Sequence, residues 1–365
     1  MRHTRYSRLS ALALIGLLAA CETGLEPEAE DATLDSQAAL ADYQAVEAVM
    51  ESTGWAGFQA LGNRSPFAGS AAGFEIVGSL REASSKRDGR SFALGLARQL
   101  TAPAASASVS RAPIISGLHR GKTFVYDPAT DDYAVDPDRA GAPSTGVRFI
   151  VYAVDATGTP IVEQELGYAD LVDEGDNSAQ DIVLHLTVVE NGNTILDYRT
   201  SADNEAGRGT LTVDGFLRGD GVRLDFSIEA SGRESGGRTT LDVSFEMRVD
   251  ARDFRITGSV RGVEEGNDGE GDIDVTVRHR DQSLRVDVRG SDNHIDGSVF
   301  LNGEVFATVT GDADAPTFLG ASGEPLTGLE YLVLGRVFDT AEDVFDFLED
   351  LVDPVDDLIL LGVVL

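Results

Sequence analysis

Leu241-Asp242-Val243-Ser244-Phe245-Glu246-Met247-Arg248-Val249 alternates apolar and polar residues along its whole length. A β-strand turns successive side chains to opposite faces, so this run predicts a strand with one dry face and one wet face. The same period continues on both sides of it. Val222, Leu224, Phe226 and Ile228 precede it, and Phe254, Ile256 and Val260 follow. Beyond them come Ile273, Val275 and Val277, then Leu284, Val286 and Val288, then Val305, Ala307 and Val309. The positions between are largely charged: Arg223, Asp225, Asp242, Glu246, Arg255, Asp274, Arg278, Arg285 and Asp287. No proline occurs between Ile161 and Ala315. Proline removes a ladder donor, so its absence favours a long run of paired strands. Turn signals recur about every 8 to 14 residues, too close for crossover helices, and the expected sheet is therefore an antiparallel meander.

Two Asn-Gly pairs give the sharpest local signals. Asn191-Gly192 should join Ile182–Val189 to Thr194–Thr200, and Asn302-Gly303 should join Ile295–Leu301 to Val305–Thr310. The pair suits a type I′ hairpin because both central residues need positive φ. Upstream, strands are expected at Lys122–Tyr126 and Tyr133–Val135, with a turn through Asp127-Pro128. Gly146–Val154 is apolar at enough positions to be a central strand. The meander is thus placed at residues 122–315.

Both ends of the chain read as helix. Ala39, Leu40, Tyr43, Val46 and Met50 share one side of a 3.6-residue period over Ser36–Ser52, with Asp35 or Ser36 as cap. Thr327 and Glu330 have capping-box spacing, ahead of Leu329, Leu332, Val333 and Val337. The period resumes at Ala341, Val344, Phe345, Leu348, Leu351 and Val352, so residues 327–365 form a C-terminal helical segment in the same domain as the sheet. Its apolar tail, Leu358–Leu365, is too short to cross a bilayer. Residues 36–121 are otherwise helical and irregular, with a second helix expected at Ser91–Leu100 and a Ser/Ala-rich linker at Thr101–Arg111. A sheet with one apolar face needs a cover, and amphipathic helices need a surface to bury against. The expected fold class is mainly β with terminal helices: a large curved antiparallel meander, half-barrel or open barrel, packed on the N- and C-terminal helices.

The chain of 365 residues has 62 acidic and 29 basic residues, a formal charge of −33. Affinity for nucleic acid comes mostly from Lys and Arg neutralising phosphates, so nucleic acid is excluded as an expected partner. The alternation would also suit a transmembrane barrel, but such barrels carry aromatic belts and no Tyr or Trp lies between Arg199 and Glu330.

The single cysteine, Cys21, rules out disulfides within the chain and Cys-based zinc clusters. Arg2, Arg5 and Arg8 precede an apolar run, Leu9–Leu18, and the small residues Ala19 and Ala20. That order reads as a secretory signal. Leu18-Ala19-Ala20-Cys21 resembles the lipobox of bacterial lipoproteins. The resemblance covers residues 1–21 alone. It implies a signal peptide at 1–20, lipidation of Cys21 and a membrane anchor through it. Several acyl chains at ~0.8 kcal/mol per buried CH₂ give durable anchoring. Residues 21–35 then form an acidic tether. Glu22 rather than Asp after the cysteine is compatible with the outer membrane in that family's sorting rule.

Catalytic signals are thin. His119, His185, His279 and His294 form no H-E-x-x-H, and there is no G-x-S-x-G elbow, P-loop or G-x-G-x-x-G. On a strand beside Val183 and Thr187, His185 reads as a packed or half-exposed sheet residue, and His279 beside Arg280-Asp281 reads as a turn residue. The acidic stretches 173–177 and 264–272 gather hard oxygen ligands of the kind calcium takes, with Asp173, Asp176, Asp268 and Asp272 as weak candidates. Neither has EF-hand spacing, and solvated hairpin loops are the default in so acidic a chain. Three functions are carried forward. The leading one is a lipid-anchored, non-catalytic binding or structural module. The second is a carrier of lipid or another hydrophobic ligand on the concave face, an architecture similar to that of open-barrel lipoprotein carriers. The third is a hydrolase using acidic residues, which requires convergent carboxylates with raised pKa values.

Overall fold

The computed structural model of the chain describes residues 35–62, 115, 117–175, 181–205, 208–265, 268–291, 294–312, 315–337 and 347. The helix expected at Ser91–Leu100, the linker at Thr101–Arg111, the tail Leu358–Leu365 and Cys21 lie outside the described residues. The stretch from Leu34 onward forms one compact unit.

Helices α1 (Ser36–Met50) and α2 (Thr53–Gly62) come first. Strands follow as β1 (Lys122–Asp127), β2 (Asp132–Asp136), β3 (Gly146–Val154), β4 (Pro160–Asp173) and β5 (Asp181–Glu190). The middle of the sheet is β6 (Asn193–Glu205), β7 (Arg208–Gly219), β8 (Val222–Ser235), β9 (Arg238–Val249) and β10 (Phe254–Glu265). It ends with β11 (Asp268–His279), β12 (Gln282–Ser291), β13 (His294–Leu301), β14 (Glu304–Asp312) and β15 (Ala315–Gly320). Residues 328–337 form a further helix, α3. All fifteen strands belong to one sheet in the order β15 to β3 without a break, then β1 and β2. The sheet is not closed; β2 and β15 are its edges.

Alternation in sequence becomes rows across the sheet. Leu171, Leu186, Tyr198, Phe226, Met247 and Ile256 lie in one such row, with Gly215 between Tyr198 and Phe226. All six side chains are buried. Full burial of a side chain of this size is worth ~1.5–3 kcal/mol, which pins the register of each strand, since a one-residue slip would turn the whole set to solvent. Gly215 is required where it stands. A Cβ there would lie 2.2 Å from the Asp197 carbonyl oxygen and 2.4 Å from the Tyr198 Cβ.

One alternating position breaks the rule. Val305, expected on the core face, is 48% exposed. A bulge between Val299 and Phe300 adds one residue to β14, so Val305 pairs with Phe300 on the wet face. The extra residue reverses the parity of what precedes it.

The turns follow from the residues that occupy them. Asn191-Gly192, Asp220-Gly221 and Asn302-Gly303 all have positive φ at both positions, as type I′ turns demand. One strand pair departs from the expected antiparallel order. β1 runs parallel to β3, with Phe124 opposite Phe149. The connection 137–145 contains Pro137, Pro143 and Gly141, which a tight hairpin would not hold; it carries the chain back past β1 instead.

The apolar face bends around the helices. Asp35 caps α1 by accepting from the Ala38 N–H, and Val49 and Tyr43 are buried. Residues 53–62, which carry no clear sequence signal, form α2 and bury Trp55, Phe58 and Leu61. Trp55 stacks on Phe347, which meets Phe226 of β8 edge-on. Both halves of the Thr327–Glu330 capping box are formed. Both edges are blunted against further pairing. β2 begins and ends on Asp132 and Asp136 with Asp131 just ahead of it, and the segment after β15 folds back so that Leu319 bridges Pro325.

Candidate functional site

Three places on the described residues bring polar chemistry together. One is a groove of about 440 Å³ on the wet face of β8 to β12. Its lining includes Ser231, Ser244 and Ser259, with Ser244 directly opposite Ser259, and the apolar Val243, Val260 and Ile273. Glu229, Asp242, Asp272, Asp274, Asp287, Arg261 and Arg289 line it too. Asp274 and Asp287 face each other across β11 and β12, a pairing that repels. Arg285 resolves it by bonding Asp274 at 2.8 Å and Asp287 at 3.0 Å. The outer pairs are looser, Arg261–Asp242 at 3.6 Å and Arg289–Asp272 at 3.4 Å.

The second place surrounds His185 on β5. Its Nδ1 is 3.1 Å from Glu174 Oε1 and its Nε2 is 3.1 Å from Asp197 Oδ1. Arg199 Nε donates to Glu174 at 2.9 Å, and the Thr187 hydroxyl donates to Asp197. The Arg199 hydrogen bond, with its charge and His185 adding, holds the Glu174 carboxyl below its usual range against partial burial. The side chain of His185 is partly exposed, as a sheet residue with one wet face should be.

The third place is buried. Asp42 of α1 contacts His279 Nδ1 and accepts from Arg252 Nη1 at 2.9 Å. His279 and Asp42 are both buried, and His279 Nε2 has no hydrogen-bond partner among the described residues. His279 was expected in a turn; it is the last residue of β11, and α1 covers it. The sequence carried a faint signal for Asp42. It sits on the flank of the apolar stripe of α1 rather than opposite it.

The calcium candidates do not converge. Asp173 ends β4; its Oδ1 accepts from the Gly175 N–H, and Arg120 lies 3.5 Å from its Oδ2. Asp272 faces Arg289 on β11, seven strands away. Asp268 starts β11 opposite Glu265, and Asp176 lies outside the described residues. The stretch 264–272 is not the loop expected: Val263 pairs Glu270 and Glu264 pairs Gly269, so the strands run almost to the hairpin tip. Glycine opposite an acidic residue lets the ladder continue there. No cluster of three or more His, Cys, Asp or Glu with metal-holding geometry occurs among the described residues.

Two aromatic rings of the wet face lie under arginine side chains. Arg148 lies 3.6 Å above the Tyr168 ring and Arg223 lies 3.9 Å above Phe216. Among buried groups, Tyr198 has its phenol pushed well above the usual range by burial, as a core tyrosine should. Burial also raises the Asp132 carboxyl, with the Tyr133 backbone N–H opposing and Asp131 adding; it stands on edge strand β2, away from the groove.

At the apolar face, Ala39, Tyr43, Val277, Leu284, Val333 and Val337 surround a crevice of about 10 Å³. That is at the lower limit for a single water, whereas ligand pockets run to ~300–1,000 Å³. Searches of family models, curated proteins and solved structures find no match to this chain.

Proposed function

We propose that this protein is a lipoprotein of the bacterial cell envelope, anchored through lipidated Cys21, whose β-sheet body is a non-catalytic binding or structural module. The anchor rests on Leu18-Ala19-Ala20-Cys21 behind a basic and apolar leader. Glu22 favours the outer membrane. The observation that carries the module reading is that α1 and α3 fill the apolar face of β11 and β12 down to a crevice of about 10 Å³. The chain consumes its own greasy surface there, and what it presents outward is a charged face with a groove lined by serines, carboxylates and arginines.

Metabolic labelling with an alkyne fatty acid tests the anchor: the wild type takes label and Cys21→Ser does not. Equal labelling of both would sink the assignment. The module is tested with delipidated protein in native mass spectrometry and a fluorescent fatty acid titration. No co-purifying lipid and no uptake are expected. Stoichiometric uptake would replace the module reading with that of a hydrophobic-ligand carrier.

A further inference from the structure

We infer that the N-terminal tip of α3, carrying Leu329, Tyr331 and Leu332, is a membrane-contact surface that rests on the neutral, zwitterionic phospholipid layer holding the Cys21 acyl chains. The inference rests on the lipid-anchor reading above.

The three side chains are 49%, 47% and 57% exposed, although α3 buries Val333, Leu334 and Val337 completely or nearly so. An amphipathic helix should turn its remaining positions to polar residues, and this tip does not. What covers it follows from where the chain is tied down. α1 starts beside Gln282 of β12, reaches Arg252 ahead of β10 through Asp42 and ends near Gly219 of β7, while α3 starts with Tyr331 edge-on to Phe318 of β15 and carries Val333 and Val337 to Val277 and Leu284 of β11 and β12. Residue numbers therefore rise in the same direction along both helices, and both N-termini lie at one end of the body. At that end the Asp35 N–H donates to Gln282 Oε1 at 2.9 Å, which fixes the point where the chain enters α1. Fourteen residue steps separate Asp35 from Cys21, at most roughly 50 Å when extended, so the tip stays within reach of the bilayer and meets it at high effective concentration.

Leucine flanked by tyrosine suits the boundary between headgroups and acyl chains, where an amphipathic ring sits well. The neighbouring carboxylates Glu324 and Glu330 oppose an anionic surface, and the occupant is therefore a zwitterionic one.

The test uses the lipidated full chain in phosphatidylcholine vesicles with brominated acyl chains. The native Trp55 is buried in the core and supplies a constant background. Leu332→Trp should shift to shorter wavelength and lose at least about half of its added emission, as an interfacial indole does. Arg233→Trp, at the exposed far end of β8, should lose none. A vesicle-bound Leu332→Trp quenched no more than Arg233→Trp overturns the contact surface and leaves the anchor standing. A wild type that neither takes alkyne label nor floats with the vesicles overturns both.

Discussion

His185 and His279 sit on strands of the same sheet, each within hydrogen-bond reach of a carboxylate, yet they occupy opposite environments. His185 stands on the wet face, between Glu174 and Asp197, with solvent reaching every member of the network. His279 lies beneath α1 against Asp42, and both side chains are less than a tenth exposed. The lesson is one of consequence. An exposed ion pair exchanges water for a partner at almost no net gain, while a buried pair becomes costly to break because the surviving partner has nowhere to find water. The wet-face ladder therefore specifies little beyond the sheet's surface. The Asp42 cluster instead fixes where α1 sits.

Removing Asp42 is the strongest way to break this contrast. Asp42→Ala should destabilise the fold by about 3 kcal/mol, because it strands buried His279 and frees Arg252; urea unfolding measures it, and a loss below about 1 kcal/mol would mean the cluster is incidental. A purely steric change on the buried face should come next. Gly215→Ala forces a Cβ against the Asp197 carbonyl oxygen and Tyr198, at a cost of about 1–3 kcal/mol, visible as a lower midpoint in thermal unfolding followed by circular dichroism. On the wet face, His185→Ala should cost less than about 1 kcal/mol in the same urea experiment. If it matched Asp42→Ala, the distinction between the two histidines would fail.

Two finer experiments sharpen the wet side. Glu174 is depressed in the folded chain, so its contribution is present above the ordinary carboxyl pKa of about 4.3 and is lost as pH falls through its folded value. In Arg199→Ala the Glu174 midpoint should rise toward the ordinary value in a carbon-detected NMR titration. The stability gap between variant and wild type should then close at acid pH; an unmoved midpoint would show that Arg199 does not hold this carboxylate. Smallest of all, Val305→Thr should leave stability within about 0.5 kcal/mol, as for a surface site. A loss of the size seen for core valines would mean that the bulge at Phe300 is wrong and Val305 faces inward.

How much was legible follows a physical boundary. Period-two alternation, turn dipeptides and helix caps are local, so β7 to β12, the Asn-Gly hairpins, the Asp35 cap of α1 and the Thr327–Glu330 box could all be read from neighbouring residues. Val305 could not, because a bulge is a property of two strands together. The parallel β1–β3 pairing was hidden for the same reason: it depends on where the connection 137–145 travels. α2 was missed because a short segment rich in Gly and Ala becomes helical by burying Trp55 and Phe58 against distant partners. The groove serines were visible only as polar positions; that Ser244 and Ser259 meet is a matter of register.

By itself the sequence determined an antiparallel run of strands with one dry face, helices at each end of the body and an excess of negative charge, since each is written in residues a few positions apart. The tertiary structure decided which groups separated by some two hundred residues would meet. It placed Asp42 on His279 and Arg252, packed α1 and α3 against β11 and β12 around a small crevice, and left a groove on the other side, because burial and charge pairing act through space and depend on distance along the chain only through its fold.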